Sequence, residues 1–191
     1  MALTPSTMLE LRSPAPAFRL PDTRGEMVSL DDYVGAPAYL VVFICNHCPY
    51  VIHIRGGLSR FYRDYANAGL GMVAINANDV ATHPQDGPEQ MAVEAQRSGY
   101  EFPYLYDETQ EVAKAYQAAC TPDFFLFDAE ARLVYRGQFD DSRPGNDIPV
   151  TGEALRSALD AVLEGKPVDV QQKASLGCNI KWRVGNEPSY S

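Results

Sequence analysis

An α/β fold, a central mixed β-sheet flanked by helices, is what three observations in this sequence predict. Runs rich in β-branched and aromatic residues, Tyr39 to Ile44, Leu70 to Ile75 and Asp123 to Phe127, have the length and composition of buried strands. Segments with apolar residues at helical spacing follow the first two runs and recur near the C-terminus. The order strand, helix, strand, helix, then a hairpin and a last helix, places helices on both faces of one sheet. With 191 residues, 46% hydrophobic and 21% charged, the chain has material for one core. A single domain is expected over residues 1–191, its core about 14–166 and its C-terminal tail about 167–191.

Ala17 to Leu20 and Glu26 to Leu30 alternate around the turn Pro21 to Gly25 and read as an N-terminal β-hairpin. The strand ending at Ile44 leads into a helix from about Pro49 to Tyr65, whose Val51, Ile54, Leu58, Phe61 and Tyr65 share one face. Gly56 and Gly57 interrupt that pattern, and at ~1 kcal/mol each against Ala they predict a kink or weak point. After Leu70 to Ile75, the loop Asn76 to Asp79 lies at a strand's carboxyl end, where open α/β sheets keep their sites. Gly87 to Arg97 reads as a helix with Pro at its start, and Glu108 to Ala118 as another, with Val112 and Tyr116 on one face. Asp123 to Asp128 and Arg132 to Tyr135 form a hairpin, and Glu153 to Glu164 a final helix stopped by Gly165 and Pro167.

Composition narrows the function. Lys plus Arg number 16 against 25 Asp plus Glu, a formal charge of -9 with no basic stripe, so nucleic acid and anionic membrane surfaces are poor partners. The stretch Met1 to Glu10 has neither a positive start nor an apolar core, and no apolar run approaches the ~20 residues of a membrane span; a cytoplasmic protein is expected. Four cysteines, Cys45, Cys48, Cys120 and Cys178, are too few and too uneven for a secreted disulfide framework. A cytosolic C-x-x-C is instead catalytic or metal-binding.

The chemistry is concentrated in Cys45-Asn46-His47-Cys48, set between a buried strand and the first turn of a helix at Pro49. Two sulfurs on one turn are close enough to bridge, and backbone N–H groups and the helix dipole stabilise a thiolate there. Cys45 is the expected nucleophile, because thiol–disulfide exchange is run by the thiolate; Cys48, one turn inward, is expected to be less exposed and to act second. His47 lies next to Cys48, and a cationic imidazole there predicts a couple more oxidising than thioredoxin's ~-270 mV. A solvated loop histidine is the alternative.

Three features in order resemble the thioredoxin superfamily: Cys45-x-x-Cys48 at a strand–helix junction, Thr121-Pro122 directly before the strand from Asp123, and the hairpin–helix ending. The resemblance covers roughly residues 14–166. The N-terminal hairpin and the segment before Thr121 look like the larger redoxin (AhpC/TSA-like) branch, which includes peroxiredoxins and cytochrome-maturation thioredoxins. Cys45-Asn-His-Cys-Pro-Tyr-Val51, Asp140 to Asn146 and Gly177 to Trp182 resemble a set of bacterial thioredoxin-like proteins. The resemblance implies a thioredoxin fold and a cis Thr121–Pro122 bond that presents the Thr121 backbone beside the sulfurs. It implies no bound organic cofactor, only protein or low-molecular-weight thiol and disulfide substrates and an external reductant, with the oligomeric state left open.

Other residues keep two readings. Cys120, before Thr121, is a third redox thiol or a small buried residue at a strand start. Cys178 sits in a tail that is a loose extension or an arm that docks through Trp182; as a docked arm it would bring Cys178 in as a resolving or relay thiol. Arg143 supports a substrate anion or belongs to a turn-rich loop, and His53 and His83 read as ordinary helix and loop residues. Where thioredoxin carries its buried acid this chain has Tyr39, so the proton acceptor for Cys48 is unassigned. Where peroxiredoxins place a Thr ahead of the peroxidatic cysteine it has Val42. The first expectation is a thiol–disulfide oxidoreductase cycling Cys45 and Cys48. The alternatives are a peroxiredoxin-like antioxidant peroxidase with Cys45 peroxidatic and Cys48 or Cys178 resolving, and a metal-binding or redox-sensing module built on Cys45, His47 and Cys48, with Cys178 a possible fourth ligand.

Overall fold

The structure, a computed structural model, describes residues 3–190. Met1 and Ala2, the start of the stretch read above for a leader, lie outside them, as does Ser191 at the end of the tail. In chain order the elements are β1 (Leu3–Pro5), β2 (Arg19–Pro21), β3 (Met27–Ser29), β4 (Ala38–Phe43), α1 (Pro49–Ala66), β5 (Gly71–Asn76) and α2 (Pro88–Ser98). Then come β6 (Tyr104–Tyr106), α3 (Glu111–Ala115), β7 (Cys120–Thr121), β8 (Asp123–Asp128), β9 (Leu133–Gly137), α4 (Glu153–Leu163) and β10 (Leu176–Asn179).

A five-stranded mixed sheet in the order β6-β5-β4-β8-β9 forms the centre. β4 pairs parallel with β5 and antiparallel with β8, so it is covered on both edges as well as both faces, which is why Ala38 to Phe43 reads as unbroken apolar sequence. Side chains along a strand alternate between faces. Leu40, Val42 and Ile44 join Val51, Ile54, Leu58 and Phe61 of α1, Met91 of α2 and Leu155 and Leu159 of α4 in one core. Tyr39, Val41 and Phe43 join Phe125, Phe127, Val112 and Tyr116 in the other, under α3 and the β2–β3 hairpin. This is the thioredoxin fold with an N-terminal hairpin, as the resemblance implied. No helix among the described residues is long and apolar enough to cross a membrane.

Two local differences from the sequence expectations have physical causes. Helix α1 runs unbroken through Gly56 and Gly57; a Cβ on Gly57 would lie 2.6 Å from Val150 Cγ1 and 3.0 Å from Phe139 Cε1, so the glycine admits close packing rather than a break. The helix expected over Glu108 to Ala118 shrinks to Glu111–Ala115 because Gln110 and Gln117 adopt positive φ of 65° and 50°. Buried Gln110 holds that conformation by donating to the carbonyls of Ala77 (2.6 Å) and Lys181 (3.0 Å) and accepting from Arg183 N (3.0 Å).

The tail is a docked arm. β10 inserts between β1 and β7 in a separate three-stranded sheet, with Leu3 opposite Cys178 on one side and Thr121 opposite Cys178 on the other. Ile180 is buried in the second core, and Trp182 packs against it with its ring 6.5 Å from that of Tyr190. Neither β1 nor β10 was expected from the sequence, since each is short and finds its partner at the other end of the chain.

Candidate active site

The end of β4 delivers Cys45 to the start of α1, and the helix begins at Pro49 with Cys48 as its N-cap. Cys48 is therefore at the helix terminus, not one turn inward as the sequence reading had it. The Thr121–Pro122 bond is cis, and Thr121 meets both sulfurs: its hydroxyl lies 3.3 Å from Cys45 Sγ and its carbonyl 3.1 Å from Cys48 Sγ. Cys178 Sγ lies 2.9 Å from Cys48 Sγ. The three sulfurs are buried, with 1%, 0% and 3% of the residue exposed for Cys45, Cys48 and Cys178, and none of the chain's cysteines is joined in a disulfide.

The proton distribution of the pair departs from the sequence expectation. Cys45 is held protonated well above the usual thiol range, first because it donates to Cys48, then by burial and by the nearby Asp86 carboxylate. Cys48 is driven the other way by that same hydrogen bond, which outweighs its burial, with further support from the Cys178 thiol and the amides of Val51 and Cys178. An N-cap position, with the unpaired N–H groups of a helix ahead of it, is where a thiolate is least costly. The pair therefore titrates as a unit, with Cys48 Sγ placed to donate to the Thr121 carbonyl and to Cys178 Sγ whenever it carries the proton. Cys178 is pushed up by burial and by its bond to Cys48.

Beside the sulfurs lies a buried carboxylate that the sequence reading did not single out. Asp86 closes a short 3-10 turn, Pro84–Asp86, and is fully buried. Its carboxylate accepts from Asn46 N (2.8 Å) and Asn78 Nδ2 (2.8 Å) and pairs with His47 Nδ1 at 2.6 Å. Burial alone would raise its pKa; the bonds from His47, Asn78 and Asn46 overcome this and leave it lowered. Asn76 Nδ2 donates to the Asp86 carbonyl (2.7 Å), and Tyr104 Oη donates to Asn46 Oδ1 (3.1 Å). The strand-end loop expected to border the site does so through Asn76 and Asn78. His47 is no freely solvated loop residue: it is fixed by Asp86 and stacks on His83 with ring centroids 5.0 Å apart. His83, read as an ordinary loop residue, is part of this wall, and its pKa is lowered by burial and by His47.

The remaining candidates lie outside the sulfur cluster. Cys120 is buried on β7 and its sulfur turns to the Pro122 carbonyl at 3.6 Å. His53 Nε2 lies 2.7 Å from Ser142 Oγ, and Arg143 is spent on the carbonyls of Asp140 (2.6 Å) and Ser142 (2.7 Å), as its turn-rich loop suggested. As a metal site, the side chains brought within reach of one ion are Cys45, His47 and Asp86, with ligand atoms within 4.8 Å of one another. That set differs from the Cys45, His47, Cys48 and Cys178 set drawn from sequence, because His47 turns to Asp86.

The AhpC/TSA family model matches residues 11–136. The crystal structure of an uncharacterised conserved protein from Geobacillus kaustophilus superposes with a TM-score of 0.94 at 54% identity, covering 96% of this chain and 97% of that one. A provisionally named peroxiredoxin of Mycobacterium tuberculosis, Rv2521, is 32% identical over 116 residues, 61% of this chain and 69% of its own. The thiol-disulfide oxidoreductase ResA of Geobacillus kaustophilus is 29% identical over 138 residues, 68% of this chain and 70% of its own.

Proposed function

The chain belongs to the AhpC/TSA family of the thioredoxin superfamily, and from that premise we propose that it is a thiol–disulfide oxidoreductase that cycles Cys45 and Cys48 between dithiol and disulfide. The observation that carries this reading is the contact of both sulfurs with one residue, Thr121, beside a cis-proline and at the N-terminus of α1. Exchange is run by a thiolate. One sulfur of the pair attacks a substrate disulfide and releases one substrate thiol; the other then attacks the mixed disulfide at the first sulfur, releases the second thiol and closes Cys45–Cys48. An external reductant reverses the step. The half-buried Asn46–His47 turn is the side from which a substrate sulfur reaches the pair. Substrates on this reading are protein or small-molecule disulfides and thiols.

The test is titration in glutathione buffers of defined potential, with free thiols trapped and disulfides located by mass. A reversible Cys45–Cys48 disulfide is expected; a pair that never closes refutes the proposal. A thiol peroxidase is the second reading, favoured by the Thr121 hydroxyl beside Cys45, which offers a donor to a bound peroxide even though Val42 offers none. Peroxide consumption that outpaces disulfide exchange with the same reductant would place it first.

A further inference from the structure

Cys178 has no task in the two-cysteine cycle, yet its sulfur lies 2.9 Å from Cys48, nearer than the Thr121 carbonyl at 3.1 Å. We propose that Cys178 is a third redox thiol and that Cys48 is shared between two disulfides, Cys45–Cys48 and Cys48–Cys178. The proposal rests on the oxidoreductase reading, which supplies the oxidised pair.

The placement is built by the fold. Cys178 is held from both sides, paired to Leu3 of β1 and to Thr121 of β7. The approach of β10 to Thr121 depends on Gly177, where a Cβ would lie 2.0 Å from the Thr121 carbonyl oxygen. The 2.9 Å gap between the sulfurs exceeds an S–S bond of ~2.05 Å by less than one ångström, so closure needs side-chain movement rather than rearrangement of the strands. Cys120 shows the contrast: one residue from Thr121 and equally buried, it directs its sulfur to the Pro122 carbonyl instead.

The step is an isomerisation. In the oxidised protein the Cys178 sulfur attacks Cys48 Sγ, the Cys48–Cys178 bond forms and the Cys45–Cys48 bond breaks. Cys45 leaves as the thiolate and takes up the proton that Cys178 gives up, so no electrons are gained or lost and no co-reactant is needed. Thr121 Oγ1, 3.3 Å from Cys45 Sγ, is placed to solvate the departing sulfur. The oxidising equivalent is thereby held between the start of α1 and β10, and Cys45 is returned as a thiol.

The experiment equilibrates the wild-type chain in glutathione buffers spanning the titration, quenches with acid, alkylates and maps the disulfides. Both disulfides are expected. Their ratio is expected to stay constant across the buffers, because isomerisation transfers no electrons, while the total oxidised fraction follows the potential; Cys120 stays alkylated throughout. Cys45→Ser, checked for native circular dichroism, is expected to form Cys48–Cys178. A wild-type map that holds Cys45–Cys48 alone in every buffer overturns the role of Cys178 and leaves the oxidoreductase reading standing. So does a folded Cys45→Ser chain with Cys48 bound to glutathione and Cys178 alkylated. A wild type with no intramolecular disulfide at any potential removes both.

Discussion

Asp123 opens β8 directly after Pro122 and is fully buried, with its Oδ2 accepting from Ala119 N at 3.3 Å and its Oδ1 without a hydrogen-bond partner. Burial drives its pKa from the ordinary 3.8 up to about 7, against smaller opposing contributions from Ser6 and the amides of Ala119, Phe124 and Cys120. Between those values the folded chain holds a proton that the unfolded chain has lost. Folding stability therefore falls as pH rises from about 4 to about 7 and the loss is complete above 7. At 1.36 kcal/mol per pH step, the rise from 3.8 to about 7 corresponds to about 4 kcal/mol of destabilisation at pH 8. Asp123→Asn removes the charge at all pH values while keeping an oxygen for Ala119. The variant is expected to match the wild type near pH 4 and to exceed it at pH 8 by an amount of that order. Urea unfolding of reduced protein at pH 4, 5, 6, 7 and 8 measures both curves, and their difference cancels every other titrating group. Parallel curves, with no divergence between pH 4 and 8, would refute the assignment of a buried ionisable acid to this position.

Gly177→Ala forces a methyl group onto the Thr121 carbonyl oxygen, backbone that cannot yield cheaply, and is expected to cost about 3 kcal/mol or more in urea unfolding and to detach Cys178 from Cys48. At Gly57→Ala the helix propensity gain of ~1 kcal/mol competes with contacts at 2.6 Å to Val150 and 3.0 Å to Phe139; overpacking wins, and a net loss of about 1 kcal/mol is expected in the same assay. Asp86→Asn removes a negative charge that, after the bond to Cys48 and burial, helps keep Cys45 protonated, so the Cys45 thiol titrates at lower pH and is alkylated faster at pH 7, by about 10-fold, followed by thiolate absorbance and iodoacetamide kinetics. His47→Ala leaves the buried Asp86 carboxylate without its ring partner beside the sulfurs, and the couple is expected to become less oxidising by roughly 30 mV per tenfold loss in the exchange constant with glutathione.

The sheet was legible because each of its long strands carries its own signal. Tyr39 to Ile44 and Asp123 to Phe127 are apolar on both faces, and that is a property of the strand alone. β1 and β10 carry none: three and four residues long, they are strands only because β10 pairs with β1 on one edge and with β7 on the other. Asp86 was hidden for a related reason. Thr82-His-Pro-Gln-Asp-Gly87 has the composition of a solvated turn, and only the fold brings Asn46 and Asn78 onto that carboxylate and Asn76 onto the Asp86 carbonyl. The available signal was indirect: Pro84 and Gly87 bracket a tight turn just after a strand-end loop already suspected of bordering the site. The expected helix over Glu108 to Ala118 failed for the opposite reason, a local periodicity overruled by the tertiary bonds of Gln110.

Cys45 and Cys48 were found from spacing, yet their surroundings follow from where the helix starts, and spacing does not fix that. A helix beginning at Cys45 would give the first sulfur the orphan N–H groups; a helix beginning at Pro49 gives them to Cys48. Proline decides the matter, since its ring is preorganised for the first helical position and it has no N–H to lose there. Residue 121 then joins the sulfurs. Its hydroxyl meets Cys45, its carbonyl meets Cys48, and its backbone pairs with the strand that carries Cys178. Because one residue is in register with all three sulfurs, small changes in the docking of β10 reach the dithiol directly, and the tail, which looks dispensable in the sequence, becomes part of the wall around the dithiol.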